Sequence, residues 1–300
     1  MTTPYHEGEL AVQTRAGVQG MASRVGRSIA PKMTPTLQAF LAQQTFLVAA
    51  LIDTSQHVWA SILTGTSGFV HPLDAHTLVV YAQLHKLGPL RDTLGLGAPI
   101  GLLAIDLASR KRVRVNGTVT HVQEDAFTLH VEQAYGNCLK YIQKRDVEPS
   151  NSQENDASSH IGSVLSTDQH ILIEHADTFF IATTHQNVGA DASHRGGNRG
   201  FVRVLDDRRL EFPDYAGNNM FNTLGNIAAN GRAGLLFLDF ERDRMLQLTG
   251  TAHIVWDEAR RASHQGAERL VAFELEHVIE RQSVTNRTWW LRELSPYNPA

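Results

Sequence analysis

The chain has 300 residues, 42% of them hydrophobic and 19% charged, with a formal net charge of −4. A chain of this size buries a core without covalent staples and is long for one domain. One cysteine, Cys138, excludes an internal disulfide framework, and the mild acidity argues against a nucleic-acid partner. The opening segment Met1–Glu7 lacks the basic start and apolar run of a signal peptide, and no stretch approaches the ~20 apolar residues of a membrane span. The expectation is a cytoplasmic protein that acts on a small molecule, with neither nucleic acid nor membrane as partner.

Residues 5–30 read as an N-terminal helical arm whose arginines, Arg15, Arg24 and Arg27, form a solvated face. Thr34-Pro35 spells a helix start, and Leu37, Phe40 and Leu41 follow on one helical face. Strands are expected over 46–52 and 100–107. The segment 149–159 is polar without an apolar anchor and reads as a linker. Ser166-Thr167-Asp168-Gln169 spells a capping box, which starts a second helix. Strands are then expected over 179–184 and 233–240. The stretches 245–256 and 270–280 alternate in polarity, as half-buried strands do.

This order repeats. Gly101-Leu102-Leu103-Ala104-Ile105-Asp106 returns 133 positions later as Gly234-Leu235-Leu236-Phe237-Leu238-Asp239. Phe46-Leu47-Val48-Ala49 returns at the same offset as Phe179-Phe180-Ile181-Ala182, and Val115-Asn116-Gly117-Thr118 as Leu248-Thr249-Gly250-Thr251. Matches in one order at one spacing indicate a tandem duplication. The expected divisions are an arm (1–33), a first barrel (34–150), a linker (151–160) and a second barrel (161–300). Short strands punctuated by Gly and Asp turns predict a mainly β fold with short helices, one split or nearly closed barrel in each half.

Several familiar sites are absent. No Gly-x-Gly-x-x-Gly follows a strand, and there is no phosphate loop, nucleophile elbow, His-Glu-x-x-His or Cys-x-x-Cys. The fifteen histidines are scattered, so no metal site is expected. Cys138 is expected to be a buried free thiol. One region departs from core-building logic: the polar, glycine-rich run 191–200, followed by Phe212-Pro213-Asp214-Tyr215-Ala216-Gly217-Asn218-Asn219. Both are expected at strand ends. Ser193, Arg195 and Gly196 supply a hydroxyl, a guanidinium and an open backbone amide, the three donors a phosphate uses. Asn218 and Asn219 add amide donors. The plainer reading is ordinary turns, with Gly and Asn in left-handed geometry.

Taken together, Ala192-Ser193-His194-Arg195-Gly196, Gly200–Asp206, Leu210–Asp214, Gly217-Asn218-Asn219, Leu224–Ile227, Ala233–Phe237 and Gln247–Ala252 resemble the pyridoxamine 5′-phosphate oxidase-like, FMN-binding split-barrel family. The resemblance covers roughly residues 165–256; the first half resembles it as a diverged copy. It implies tandem split β-barrels, FMN as cofactor between two barrels, and a pseudo-dimer within the chain or a homodimer. It implies an FMN-dependent oxidoreductase on a small molecule. The alternative is a flavin- or haem-binding module without turnover. By position, Ser193, His194, Arg195 and Gly196 match the strand that grips the FMN phosphate. Phe212, Pro213 and Asp214 match the strand along the flavin ring, and Asn218 and Asn219 the loop that completes the phosphate site. Gln247 matches a polar residue near the ring. True oxidases carry an Arg-Lys pair where Asn218 and Asn219 stand. Their C-terminal Arg and His for the substrate phosphate have no match around Arg287–Trp290. In the first repeat Leu63 stands where Arg195 does, so that copy is expected to have lost the site, and Trp59 beside it is expected in the core.

Overall fold

Local spelling starts the helices. In the computed structural model, which describes residues 3–149, 159–282, 285 and 287–300, the arm forms α1 (Glu7–Arg15) and α2 (Gln19–Gly26). Helix α3 (Pro35–Ala42) starts with the Thr34 hydroxyl accepting from the Leu37 amide and proline in the first turn. Helix α4 (Thr167–His175) starts with the reciprocal Ser166–Gln169 box. Most of the expected linker, 151–158, lies outside the described residues.

The strands form two sheets. The first contains β1 (Phe46–Ile52), β2 (Val58–Thr64), β3 (Val70–Pro72), β4 (Thr77–Tyr81), β5 (Pro99–Asp106), β6 (Lys111–Gln123) and β7 (Ala126–Gly136), in the order β2-β1-β5-β6-β7-β4-β3. A 3-10 segment, Leu84–Thr93, precedes β5. Next come β8 (Lys144–Pro149) and β9 (Ser159–Gly162). The second sheet contains β10 (Thr178–His185), β11 (Gly189–Gly196), β12 (Arg203–Val204), β13 (Arg209–Asp214), β14 (Arg232–Asp239), β15 (Arg244–Val255) and β16 (Arg269–Gln282), in the order β11-β10-β14-β15-β16-β13-β12. Helix α5 (Asn222–Asn230) precedes β14, where the first half has its 3-10 segment, and α6 (Glu258–Ala262) precedes β16. Strand for strand, the two orders are the same. The fold is mainly β with short helices, as two split-barrel sheets. Strand β17 (Arg287–Glu293) pairs with β8, so the last strand of the second half closes on the end of the first. Among the described residues no helix is long and apolar enough to cross a membrane.

The two apolar runs explain how the halves meet. Along β1, Leu47, Ala49 and Leu51 fill the first barrel, while Phe46, Val48 and Ala50 face the other half. Along β10, Phe179 and Ile181 fill the second barrel, while Phe180 and Ala182 join Val48, Leu103, Leu236 and Leu238 in a shared layer. Strands β5 and β14 divide their faces the same way. Both faces are dry, so these strands read as continuous apolar runs rather than alternating ones. Two glycines set the distance. A Cβ at Gly101 would lie 2.6 Å from the Ala190 carbonyl oxygen, and one at Gly234 would lie 2.3 Å from that of Val58. They are the matching positions of the two copies, so one close backbone crossing occurs twice.

Two expectations shift. The run 191–200 is not a loop: residues through Gly196 lie within β11. The strand expected from Phe201 is only Arg203–Val204, because Phe201 and Val202 turn into the second core.

Gly234→Ala should lower stability by about 1–3 kcal/mol through overpacking at the crossing. Gly95→Ala is the control, since nothing lies within 4 Å of a Cβ there. Thermal melts of both variants check this; equal melting temperatures would remove the close-approach argument.

Candidate functional site

Strand β11 runs along the boundary between the halves and presents Asp191, Ser193, His194 and Arg195 to strand β6 of the first half. Arg114 on β6 is buried. Its Nη1 donates to Asp191 Oδ1 at 3.2 Å, to Asn222 Oδ1 at 3.1 Å and to the Tyr135 hydroxyl at 3.3 Å. Its Nη2 donates to the Ser193 hydroxyl, which also meets Thr223 Oγ1 at 2.8 Å. Burial alone would lower the Arg114 pKa, but Asp191 and Tyr135 outweigh it and the value is raised. Arg114 is therefore an ion-paired structural cation that ties the two halves together.

Arg112, two residues earlier on the same strand, is different. Its Nε donates to the Cys138 carbonyl at 2.7 Å, and its Nη1 to His194 Nδ1 at 3.1 Å. Arg195 donates to the His194 carbonyl at 3.1 Å. All these acceptors are neutral. Among the described residues neither guanidinium has a carboxylate in ion-pair range. Burial, then the neighbouring Arg114 and Arg195, pulls Arg112 down to about 9. Burial also lowers Arg195, an effect that Asp214 partly offsets. His194 is 3% exposed, and burial, followed by Arg112 and Arg195, holds its pKa well below 6.5. Its Nδ1 accepts from Arg112, so the ring is neutral with its proton on Nε2.

These groups line a cleft of about 90 Å³ between the halves. Lys140, Tyr141, Pro213, Asp214 and Tyr215 border it, and so does the first turn of α5. That helix starts at Phe221 with φ 61° and has no side-chain cap. Asn222, Thr223 and Leu224 of its first turn border the cleft, at the positive end of the helix dipole. Asn219 also has φ 61°, a left-handed geometry that asparagine tolerates. Two half-buried guanidiniums with no carboxylate in ion-pair range, beside a helix start without a side-chain cap, make a site that favours an anion.

The expected site residues divide. His194, Arg195, Gly196, Pro213, Asp214, Asn218 and Asn219 line this cleft. Their tasks differ from the expectation. Gly196 is where the Tyr141 carbonyl passes, 2.1 Å from the place of a Cβ. Asn218 donates to Asn137 Oδ1 at 2.7 Å, and the Asn219 amide turns to Met21 Sδ at 2.8 Å, so neither is a free donor. Asp214 is raised by burial, against the pull of Arg195 and Arg269. Ser193 is fully buried and taken up by Arg114 and Thr223. Phe212 is not at the cleft: it packs edge-on to Phe179 in the second core. Gln247 is also elsewhere: its amide donates to the Ala60 carbonyl at 2.8 Å, on the boundary with the first copy's strand β2. Cys138 is half-buried on the cleft wall rather than in the core.

The duplicate boundary, where Gln247 lies, lacks the cations of β6 and β11; its own buried cation, Arg281 on β16, donates to the Lys86 carbonyl of the 3-10 segment. The positions matching Arg112 and Arg114 are Met245 and Gln247, and the position matching Arg195 is Leu63, in the first core. Trp59 is in that core too. Where α5 points its start at the cleft, the 3-10 segment buries Leu84, Leu87 and Leu90. Sequence reasoning missed Arg112, Arg114 and Lys140. A signal existed: Lys111-Arg112-Val113-Arg114-Val115-Asn116 carries a polar group at every second position of a strand in an otherwise apolar sheet. A larger groove, about 530 Å³, runs along α4 from Asp168 to Arg242. Cations and carboxylates alternate along it, and its deepest cation, Arg145, is held by Asp177 at 2.6 Å, so it makes no comparable demand for an anion.

Residues 168–290 match the family model for pyridoxamine 5′-phosphate oxidase. No curated protein matches the chain. Among solved structures, HupZ of Group A Streptococcus is 18% identical over 38% of this chain and 91% of that one, with a TM-score of 0.33. A FAD-binding protein from Mesorhizobium loti is 11% identical over 43% and 99%, TM-score 0.32. A protein of the pyridoxinephosphate oxidase family from Clostridium acetobutylicum, related to general stress protein 26, is 13% identical over 41% and 92%, TM-score 0.30. Over residues 168–290, then, the chain is similar to the pyridoxamine 5′-phosphate oxidase family.

Proposed function

We propose that the cleft binds FMN, with the phosphate on Arg112, Arg195, Lys140 and the start of α5, and that the protein is an FMN-dependent oxidoreductase acting on a small molecule. The observation that carries this reading is the pair of half-buried guanidiniums, Arg112 and Arg195, whose hydrogen bonds all go to neutral acceptors. A phosphate dianion supplies the missing charge. The family of the second half supplies the choice of a flavin nucleotide over other phosphates. The residues fit the group: cations and amides at one end, and Pro213 with the tyrosines Tyr141 and Tyr215, 5.1 Å apart, at the other. When bound, the flavin supplies the electron-transfer chemistry. The chain binds, orients and shields it. Neutral His194 holds Arg112 in place, and Tyr141 donates to the Ala216 carbonyl at 3.0 Å, bracing the wall of the cleft.

The two halves then act as the two barrels of a pseudo-dimer, with one competent boundary and one plugged. FMN should bind at one per chain. Two equal sites in a titration would overturn this.

Arg195→Ala should weaken FMN about tenfold to a hundredfold, since a charge-assisted contact is worth roughly 1.5–3 kcal/mol. Riboflavin, which has no phosphate, should lose much less. Fluorescence quenching with both ligands decides the matter; equal losses would place the phosphate elsewhere.

The same pair of ligands tests Arg112 through pH. In the free protein its guanidinium loses its proton around 9, and the bound phosphate holds that proton on. FMN affinity should be level from about pH 7, where the phosphate is a dianion, up to that pH, and fall above it by up to tenfold per pH unit. Ionisation of the ring is common to both ligands, so riboflavin should show no such excess slope.

A further inference from the structure

A second group of polar side chains lies outside the cleft. His6 caps α1, and His185 ends β10. Their rings stack, with centroids 3.9 Å apart and planes 24° from parallel. Both are enclosed, their side chains 6% and 5% exposed. Packing alone does not call for two imidazoles there, because apolar rings would fill the space without desolvating four nitrogens.

The Nε2 atoms turn toward oxygens of the same small region. His185 Nε2 is 2.9 Å from Glu7 Oε1. His6 Nε2 is 2.9 Å from Asn226 Oδ1 and 3.4 Å from Glu9 Oε2. One ligand atom from each of His6, Glu7 and His185 falls within 4.8 Å of the others. The Glu7 side chain is 77% exposed, which leaves an entry path from solvent.

We propose that His6, Glu7 and His185 form a divalent-metal site, with water in the fourth position, that fastens the N-terminal arm to the second barrel. Two imidazole nitrogens with a carboxylate oxygen suit Zn²⁺ and its transition-metal neighbours; Ca²⁺ and Mg²⁺ take oxygen ligands throughout. The Glu7 carboxylate offsets part of the ion's charge. Without metal, Nδ1 of each ring accepts a backbone amide, from Gly8 at 3.1 Å and from Asn187 at 3.3 Å. Each neutral ring therefore carries its proton on Nε2. Metal capture moves that proton to Nδ1 through solvent, gives up those two amide contacts and frees the Nε2 lone pair for the ion. The rings release no net proton. The ion would hold the start of α1 against the end of β10, beside the place where α1 and α5 cross closely: a Cβ at Gly8 would lie 2.3 Å from the Gly225 carbonyl oxygen.

The test uses the untagged full-length protein, stripped with a chelator and titrated with Zn²⁺ by calorimetry and with Co²⁺ by visible absorption. The expected result is one ion per chain at micromolar affinity or tighter, with the intense visible bands of four-coordinate Co²⁺. His6→Ala and His185→Ala should abolish that site. Glu7→Gln should weaken it at least tenfold while leaving the metal-free melting temperature unchanged, because that side chain is exposed. His57→Ala, in the separate surface pair with Asp53, should bind like the parent. Failure of the parent to bind either ion, or equal binding by Glu7→Gln and His6→Ala, would overturn the proposal. Neither readout depends on flavin, so this test and the FMN tests fail independently.

Discussion

The structure depends on burying both faces of four strands. β1 and β5 give one face to the first barrel, β10 and β14 give one face to the second, and their remaining faces meet in a layer that belongs to neither half alone. Each half by itself would leave Val48, Ala50 and Leu103, or Phe180, Ala182 and Leu236, in water. That exposure is the kind of apolar patch that drives association. The glycines at Gly101 and Gly234 let the backbones approach closely enough for the layer to close without voids.

Once the halves are joined face to face, two boundaries follow from the pseudo-symmetry, and the side chains decide their fates. At one, β6 offers Arg112 and Arg114, and β11 offers Asp191, Ser193 and Arg195. At the other, the matching positions are Met245, Gln247, Trp59, Ser61 and Leu63. The first boundary keeps one cation paired and leaves two with neutral partners. The second satisfies Gln247 with the Ala60 carbonyl and fills its space with leucines. A cation held away from water without a close counter-ion opposes folding. At the first boundary Arg112 and Arg195 carry that cost where they border an open cleft, while at the second Arg281 is closed in against the Lys86 carbonyl.

The arm adds a third layer to the same corner. Gln13 donates to the Met220 carbonyl at 3.0 Å, and Tyr5, Ala22, Tyr135 and Met220 form a small core of their own. Met21 takes the Asn219 amide. Helix α5 and the loop before it are thus held from outside by the arm and from inside by Arg114, which keeps the uncapped helix start aimed at the cleft.

Much of this was legible in the chain itself. Repeated strings at a fixed offset, period-two alternation and two N-cap spellings depend on residues near one another in sequence, and they determined the element order, the duplication and the mainly β class. That Arg195 stands apart from the core was legible because glycines and asparagines around it break the core pattern, and it lines the cleft. The partners of that arginine were not. Arg112 lies 83 positions before it on another strand, and nothing local says that β6 of one half lies against β11 of the other. For the same reason nothing local tells that Gln247 meets the Ala60 carbonyl or that the Ser193 hydroxyl meets Arg114. The resemblance places Phe212 on the strand along the ring, and its side chain takes the face toward the second core. The stacked pair of His6 and His185 was hidden among fifteen scattered histidines. The sequence by itself determined what each strand is and that it occurs twice. Only the tertiary structure decided which copies of which strands meet, because that choice is made by burial and charge between residues far apart in the chain.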